Sequence, residues 1–171
     1  SQLGRGTAFK VELELGCITE EKQSEIEAAE SVSDQYDILA GRHVLLCEDH
    51  PLNQEIAKAI LEEKGMIVEV AGDGQAGLKA FAASSPEYFD AVLMDIHMPV
   101  MDGYEAARSI RMLERKDAAS VPIIAMTADA FAEDIRRCMD AGMNSHVAKP
   151  IDPQALDQVL KKEMLKRRKR S

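Results

Sequence analysis

Residues 90–103 have the sequence DAVLMDIHMPVMDG, which combines a strand, a carboxylate and a turn in one short segment. Four apolar residues, Ala91 to Met94, lead directly into Asp95. A short, continuous apolar run bounded by turn residues is typical of a strand that is covered on both faces. Such strands occur in α/β domains, and open α/β sheets bind their ligands at the carboxyl ends of the strands. The stretch therefore predicts an α/β domain with Asp95 at its functional edge.

The composition is that of a globular domain with an aliphatic core. The chain has 171 residues, of which 46% are hydrophobic and 4% aromatic, and it contains no Trp. No apolar run approaches the roughly 18 residues of a membrane span, and we expect no signal peptide at the start. Cys17, Cys47 and Cys138 form no C-x-x-C pair. Scattered cysteines favour reduced thiols and a cytoplasmic location over a disulfide scaffold or a zinc site.

The charge is unevenly distributed along the chain. The net charge is −9, yet residues 161–171 are rich in Lys and Arg. An acidic body argues against general nucleic-acid binding, and we expect neither a nucleic-acid partner nor direct membrane contact. We interpret residues 161–171 as a basic helical tail, because cations are favourable near the C-terminus of a helix.

From residue 42 onward, short apolar strands alternate with helical patterns. Strands are predicted at 44–47, 66–71, 91–95, 121–127 and 145–148, and helices at 53–64, 75–83, 104–114, 130–141 and from 153 onward. Asp152 is the expected N-cap of the last helix, with Pro153 in its first turn. Five βα units within residues 42–160 favour a flavodoxin-like, doubly wound parallel sheet of strand order 2-1-3-4-5, preceded by an N-terminal extension.

Polar residues at the predicted strand ends form a candidate site for phosphoryl transfer. Glu48 and Asp49 follow the first strand, Asp95 ends the third, and Thr127 and Lys149 end the fourth and fifth. In a doubly wound sheet these ends converge on one crevice. Three carboxylates there would repel one another unless a cation intervened, and hard oxygen ligands suit Mg²⁺. A carboxylate nucleophile, a metal, a lysine and a hydroxyl together favour transfer of a phosphoryl group to Asp95.

These residues, in this order, resemble the signature of the receiver domain of two-component signalling. The resemblance covers residues 42–160 and rests on Glu48-Asp49, Asp95-x-x-Met98-Pro99-x-Met101-Asp102-Gly103, Thr127-Ala128 and Lys149-Pro150. It implies that Asp95 is the phosphoacceptor. It also implies that Thr127 and Lys149 bind the phosphoryl oxygens and that the Lys149–Pro150 peptide bond is cis, an isomer that is essentially confined to proline.

The same resemblance implies a set of metal ligands. Asp49 and Asp95 would bind Mg²⁺ directly, Glu48 would act through water, and the backbone carbonyl of His97 would complete the protein ligands. Mn²⁺ could substitute for Mg²⁺ at such a site.

One position departs from the family pattern. Receivers usually have Phe or Tyr three residues before the lysine of the fifth strand, where this chain has His146. In the family this side chain turns inward when the phosphoryl group draws in the hydroxyl residue, so we expect Thr127 and His146 to be the switch residues. Histidine changes charge within the physiological pH range, and burying an unpaired cation is costly. We therefore expect low pH to favour the outward, inactive arrangement; the alternative is a ring that stays solvated in both states.

Residues 1–16 carry a second, shorter resemblance. Apolar and charged residues alternate from Phe9 to Leu15 after a Gly-x-Gly turn, as in a half-buried strand. The pattern resembles the terminal strand of the ATP-binding domain of sensor histidine kinases, and these residues would be its remnant. Residues 17–41 are rich in Glu, Ser, Gln and Asp, and we interpret them as an acidic linker.

Together the two resemblances imply the receiver domain of a hybrid sensor histidine kinase. Such a domain takes a phosphoryl group from the phosphohistidine of the kinase dimerisation domain and relays it, or its conformational effect, to a histidine phosphotransfer protein. It catalyses its own phosphorylation and dephosphorylation, whereas the parent kinase, which could be anchored in a membrane, is the phosphotransferase. The expected docking surface is the first helix, at Leu52, Asn53 and Ile56; a weak homodimer is left open.

Three alternatives compete with this interpretation. Residues 72–77, GDGQAG, match the G-x-G-x-x-G motif of dinucleotide sites, and Asp95 follows about 20 residues later at a strand end. However, Asp73 would place a negative charge beside the pyrophosphate, and the strand-end residues described above would have no role. A phosphatase with an aspartyl nucleophile would need a second Asp where His97 stands. The third alternative is a receiver-like interaction module that is never phosphorylated.

Overall fold

A computed structural model of the chain describes residues 38–128 and 132–169, and the structural statements that follow refer to these residues. The predicted N-terminal strand and nearly all of the predicted linker lie outside this part of the chain, as does Cys17. The elements, in chain order, are β1 (His43–Cys47), α1 (Pro51–Glu63), β2 (Ile67–Ala71), α2 (Gly74–Ala83), β3 (Ala91–Asp95), α3 (Gly103–Arg111), α4 (Lys116–Ser120), β4 (Ile123–Thr127), α5 (Ala132–Asp140), β5 (Ser145–Ala148) and α6 (Pro153–Arg168).

The five strands form one parallel sheet in the order β2-β1-β3-β4-β5. This order confirms the predicted flavodoxin-like, doubly wound fold. Every residue of β3 and β4 is buried. Because side chains alternate across a strand, Val92 and Met94 pack into the core on one face of the sheet, while Ala91 and Leu93 pack into the core on the other.

Two helices differ from the sequence-based expectation. Helix α1 begins at Pro51 rather than at 53, because proline has no N–H to leave unsatisfied and is favoured in the first turn. The predicted helix 104–114 ends instead at Arg111, and a separate short helix, α4, follows it. The break occurs at Arg115, whose backbone is extended, with φ −136° and ψ 140°.

The buried Asp117 forms an ion pair with the partly buried Arg115 at the amino end of the sheet. Arg115 Nη2 lies 2.7 Å from Asp117 Oδ2, and Arg115 Nε donates to Asp117 Oδ1 at 2.9 Å. The backbone N–H of Glu87 donates to Asp117 Oδ2 at 2.8 Å, and Arg115 Nη1 donates to the carbonyl of Ser84 at 3.0 Å. Asp117 is 2% exposed, and its hydrogen bonds with Arg115 lower its pKa below the usual aspartate value. This pair ties the loop after α2 to the start of α4.

Packing extends to both ends of the described chain. Leu39, three residues before the predicted domain start at 42, is fully buried. Helix α6 starts with Asp152 as its N-cap, as expected, because the Asp152 side chain accepts a hydrogen bond from the N–H of Gln154. The helix continues to Arg168 and buries Met164, so most of the predicted basic helical tail is continuous with the last helix of the domain.

Cys47 ends β1 and is fully buried beside α2. Its Sγ occupies the space that a Cβ on Gly77 would need, which explains a glycine within the helix. Burial, with a smaller contribution from the nearby charge of Asp73, raises the pKa of the Cys47 thiol to about 12. Cys47 and Cys138 are both free, buried thiols.

Candidate functional site

The predicted strand-end residues meet at the carboxyl edge of the sheet. Glu48 and Asp49 directly follow β1, Asp95 is the last residue of β3, Thr127 is the last of β4, and Lys149 directly follows β5. Glu48 is 1% exposed and Asp95 5% exposed, whereas Asp49 faces solvent. The fold therefore places two buried carboxylates and one exposed carboxylate at one edge, as the parallel order of the strands requires.

Lys149 bridges the two buried carboxylates. Its Nζ lies 2.6 Å from Glu48 Oε2 and 2.7 Å from Asp95 Oδ2. The peptide bond that follows it, Lys149–Pro150, is cis, as predicted. The backbone N–H of Lys149 also donates to the carbonyl of Thr127 at 2.8 Å, which aligns this residue with the end of β4. The two hydrogen bonds from Lys149 Nζ to the carboxylates are strong because both partners are charged.

A hydrogen-bond partner of Glu48 was missed by the sequence-based reasoning. The side-chain amide of Asn53 donates to Glu48 Oε1 at 2.8 Å, and that of Gln54 donates to the Glu48 backbone carbonyl at 2.6 Å. Asn53 was predicted only as part of a docking surface. The available signal was its position in the first turn of α1, since the start of a helix that follows β1 faces the same crevice as the strand end.

The site carries more negative than positive charge. Burial raises the pKa of Asp95 above the usual aspartate value, and the charge of Glu48 adds to the increase, although Lys149 and the His97 N–H act in the opposite direction. Burial alone would lower the pKa of Lys149, but its hydrogen bonds with Asp95 and Glu48 outweigh this, so its pKa is raised. The Asp95 shift therefore comes mainly from burial, whereas the Lys149 shift comes from its two carboxylate partners.

The carboxylates fit a divalent cation. One oxygen from each of Glu48, Asp49 and Asp95 can be chosen so that all three lie within 4.8 Å of one another. Three carboxylates and one lysine leave two negative charges uncompensated, which is the charge that a divalent ion would balance. An all-oxygen donor set with an exposed member leaves room for water, which Mg²⁺ retains when it binds proteins.

The remaining predicted site residues lie around this cluster. The N–H of His97 donates to Asp95 Oδ1 at 3.2 Å, and the His97 side chain is exposed. Thr127 is 3% exposed at the end of β4. His146 lies within β5, paired with Ala125, and is half-buried. His146 lies three residues before Lys149 along the chain.

The glycine motif at 72–77 has a packing role. Asp73 is the N-cap of α2 and accepts a hydrogen bond from the N–H of Ala76 at 2.7 Å. Gly74 N–H donates to the carbonyl of Met101, and a Cβ on Gly74 would collide with that carbonyl. Gly77 leaves space for Cys47. The glycines therefore permit close approach of protein groups, and the acidic side chain among them caps the helix, so the dinucleotide alternative is not favoured.

The fold and the acidic strand ends define a doubly wound α/β domain with an acidic site at its carboxyl edge, and comparison with known proteins gives the family. The family model described as "Response regulator receiver domain" matches residues 44–161. The chain belongs to the receiver domain family of response regulators. In the part of the chain that the structure describes, no helix has both the length and the apolar character needed to cross a membrane.

The curated relatives include histidine kinases. The chain is 42% identical over 125 residues to "Probable histidine kinase 2" of Oryza sativa subsp. indica, a match that covers 67% of this chain and 12% of the relative. It is 35% identical over 125 residues to "Hybrid signal transduction histidine kinase I" of Dictyostelium discoideum, covering 72% of this chain and 7% of the relative. The chain thus spans only a small part of the length of these relatives.

Two solved structures are informative neighbours. The receiver domain of a sensor histidine kinase from Pseudomonas aeruginosa PAO1, with a magnesium ion coordinated in its active-site cleft, is 39% identical; the TM-score is 0.66, covering 73% of this chain and 98% of that one. The receiver domain of a Saccharomyces cerevisiae response regulator, crystallised with a histidine phosphotransfer signalling protein, is 28% identical. Its TM-score is 0.64, and the match covers 71% of this chain and 87% of that one.

Proposed function

We propose that this chain is the receiver domain of a hybrid sensor histidine kinase and accepts a phosphoryl group on Asp95 from a phosphohistidine. The observation that carries the proposal is the position of the Asp95 carboxylate, buried at the end of β3 and 2.7 Å from Lys149 Nζ. A carboxylate oxygen of Asp95 attacks phosphorus, the phosphorus–nitrogen bond breaks, and the released imidazole nitrogen keeps the electron pair and takes a proton from solvent. The products are an aspartyl phosphate and a neutral histidine.

Mg²⁺ is the proposed cofactor, with Mn²⁺ as a substitute. Asp49 and Asp95 would hold it directly, Glu48 through water, and the backbone carbonyl of His97 would complete the protein ligands. When bound, the metal neutralises negative charge on the transferring phosphoryl group. The other roles fall to side chains of this chain: Lys149 is placed to donate to a phosphoryl oxygen, and the Thr127 hydroxyl to donate to another.

A small phosphodonor tests this proposal without any partner protein. The intact mass of the chain should increase by one phosphoryl group after incubation with acetyl phosphate and Mg²⁺, and should not increase in excess chelator. Asp95→Asn and Asp95→Ala should remain unlabelled. Asp73→Asn is a matched control, because Asn also serves as an N-cap, and it should be labelled like the parent chain. Equal labelling of the Asp95 variants at another residue would overturn the assignment.

We further propose a histidine phosphotransfer protein as the acceptor and the phosphohistidine domain of a kinase as the donor, both in the cytoplasm. The support is an apolar patch beside the site: Leu52 and Ile56 are 61% and 46% exposed. A small cavity next to them is lined by Asn53, Ile56, Lys149, Pro150 and Ile151. A neighbour with the same fold was crystallised with a histidine phosphotransfer protein.

The proposed switch consists of Thr127 and His146. In this proposal the phosphoryl group draws the Thr127 hydroxyl inward, and the half-buried imidazole of His146 follows it into the vacated space. We expect His146→Tyr to be phosphorylated to the same extent, but to bind the phosphotransfer protein equally at pH 5.5 and 7.5, whereas the parent chain binds it differently at the two values. Identical pH profiles for the two proteins would show that His146 stays solvated in both states.

A further inference from the structure

Asn53, Glu48, Lys149 and Asp95 form a continuous chain of hydrogen bonds at the edge of the sheet. Asn53 Nδ2 donates to Glu48 Oε1 at 2.8 Å, and Lys149 Nζ donates to Glu48 Oε2 at 2.6 Å and to Asp95 Oδ2 at 2.7 Å. Each oxygen of the Glu48 carboxylate therefore has a different partner. One partner is a charged side chain on a long flexible stem, and the other is a neutral amide on the first turn of α1.

The burial of Glu48 makes its second partner important. Glu48 is 1% exposed, so water does not readily replace a lost hydrogen bond. A buried carboxylate without hydrogen-bond donors is strongly unfavourable and tends to move out of its position. In the proposed function Lys149 must turn toward the phosphoryl oxygens on Asp95, and it then gives up its contact with Glu48. The donor from the described residues that remains on the Glu48 side chain is the amide of Asn53.

We propose that Asn53 is a positioning residue for phosphoryl transfer: it holds the Glu48 carboxylate in place while Lys149 leaves Glu48 for the phosphoryl group. The inference rests on the proposed function and adds to it a role for a residue outside the acidic cluster. An amide suits this role because it supplies a donor without a second positive charge, which would compete with the metal for the carboxylates. Gln54 cannot replace it, since its amide is bonded to the Glu48 backbone carbonyl.

The role predicts a selective defect in Asn53→Ala. Without the neutral donor, Glu48 depends more on Lys149, and moving the lysine to a phosphoryl group becomes more costly. Binding of beryllofluoride, a stable analogue of the phosphoryl group, should weaken about tenfold, because a hydrogen bond to a charged group contributes on the order of tenfold or more. Mg²⁺ affinity without beryllofluoride should change less than about threefold, because Lys149 then stays on Glu48.

The experiment measures both affinities, Mg²⁺ by calorimetry and beryllofluoride by ¹⁹F NMR in saturating Mg²⁺. Gln54→Ala is the matched control: it removes an amide donor to the same residue but leaves the carboxylate bonded, and it should bind beryllofluoride within about twofold of the parent chain. In a Glu48→Gln background the side chain carries no charge, so it binds Lys149 less strongly and depends less on a second donor. There Asn53→Ala should have little further effect, which a purely structural role would not predict.

The outcomes separate the inference from the proposed function. Failure of the parent chain to bind beryllofluoride in Mg²⁺ would contradict the proposed function itself. Normal binding by the parent chain and equal binding by Asn53→Ala would overturn only the role of Asn53. The inference also fails if Gln54→Ala shows the same loss, or if the tenfold loss persists in the Glu48→Gln background. Unchanged Mg²⁺ affinity in Asn53→Ala shows that the variant is folded.

Discussion

Asp95 and Asp117 are two buried aspartates at opposite ends of the same sheet. They differ in how well neighbouring donors and cations compensate the charge of the carboxylate. Asp117, at the amino end, has a two-point contact with Arg115 and a hydrogen bond from the N–H of Glu87. Asp95, at the carboxyl end, shares one lysine with Glu48 and lies in the same acidic cluster as Asp49. The pKa of Asp117 is lowered by its arginine, whereas burial raises the pKa of Asp95.

The comparison shows that burial does not by itself decide the cost of a carboxylate. Both oxygens of the Asp117 carboxylate accept hydrogen bonds from Arg115 or from the N–H of Glu87, so the ionised carboxylate stabilises the fold. At Asp95 the cluster has more carboxylates than cations, so the ionised group is unfavourable until a divalent ion or another cation arrives. The amino end of the sheet is organised for stability, and the carboxyl end keeps an electrostatic imbalance that ligand binding can relieve.

The largest expected change in stability comes from removing Asp117, at the amino end of the sheet. Asp117→Ala removes the buried member of the pair and leaves the Arg115 side chain, which is 14% exposed, without its carboxylate. Breaking a buried pair costs roughly 3 kcal/mol. We expect the free energy of unfolding, measured by urea denaturation, to fall by about that amount. Asp140→Ala, at an exposed position on α5, should change it by less than about 0.5 kcal/mol. A loss at Asp117 as small as that at Asp140 would mean that the pair contributes little.

The second prediction compares Mg²⁺ affinity after removal of an anionic residue and of the lysine at the carboxyl end of the sheet. Asp49→Ala should weaken Mg²⁺ binding at least about tenfold, because one of few anionic ligands is lost. Lys149→Ala should leave Mg²⁺ affinity unchanged or higher, since it removes a competing cation, yet impair phosphorylation by acetyl phosphate. Calorimetry gives the affinities and intact mass the labelling. A similar loss of Mg²⁺ affinity in both variants would show that the two roles are wrongly assigned.

The smallest expected effect is the contribution of Asp95 to the stability of the metal-free domain, and it depends on pH. Because the folded pKa of Asp95 is raised, its ionisation destabilises the metal-free domain, and this cost grows as the pH rises from the unfolded value through the folded one. Asp95→Asn should therefore stabilise the metal-free domain at pH 7, and this gain should disappear below about pH 4. Urea denaturation in chelator at both pH values measures it.

Asp117 should show the opposite sign in the same experiment. Its folded pKa is lowered, so its stabilising contribution is present above the unfolded aspartate pKa of about 3.9 and is lost as the pH falls through the folded value. Asp117→Asn should therefore be less stable than the parent chain at neutral pH and approach it in acid. Parallel pH profiles for the Asp95 and Asp117 variants would contradict the contrast between the two ends.

The sequence predicts one of these ends far better than the other. The carboxyl end follows from periodicity, since every strand of a parallel sheet ends at the same edge and Glu48, Asp95 and Lys149 stand at strand ends. Asp117 lies in a polar stretch, ERKDAAS, that has no apolar period. The burial of Asp117 depends on Arg115, which pairs with it and also donates to the carbonyl of Ser84. Ser84 lies 31 positions from Arg115 in the chain, and no local sequence pattern encodes that contact.

The same reasoning applies to the finer details of the site. The N-cap at Asp152 could be predicted because it depends on neighbouring residues only. The bond from Asn53 to Glu48 depends on how the first turn of α1 is oriented over the end of β1, which sequence spacing leaves open. Leu39 was assigned to a linker by composition, and its burial became visible only with the packed core.

The buried thiol of Cys47 has a kinetic consequence. A thiol with a pKa of about 12 and no exposure reacts with an alkylating reagent only when the surrounding structure opens. The peptide bond after Cys47 leads directly to Glu48, so the rate at which iodoacetamide modifies this one residue, followed by peptide mass, reports how often the edge that carries the acidic cluster opens. The alkylation rate of the buried Cys138, on α5, provides a second measurement in the same sample. The ratio of the two rates would distinguish local opening at the carboxyl edge from unfolding of the whole domain, without any engineered probe.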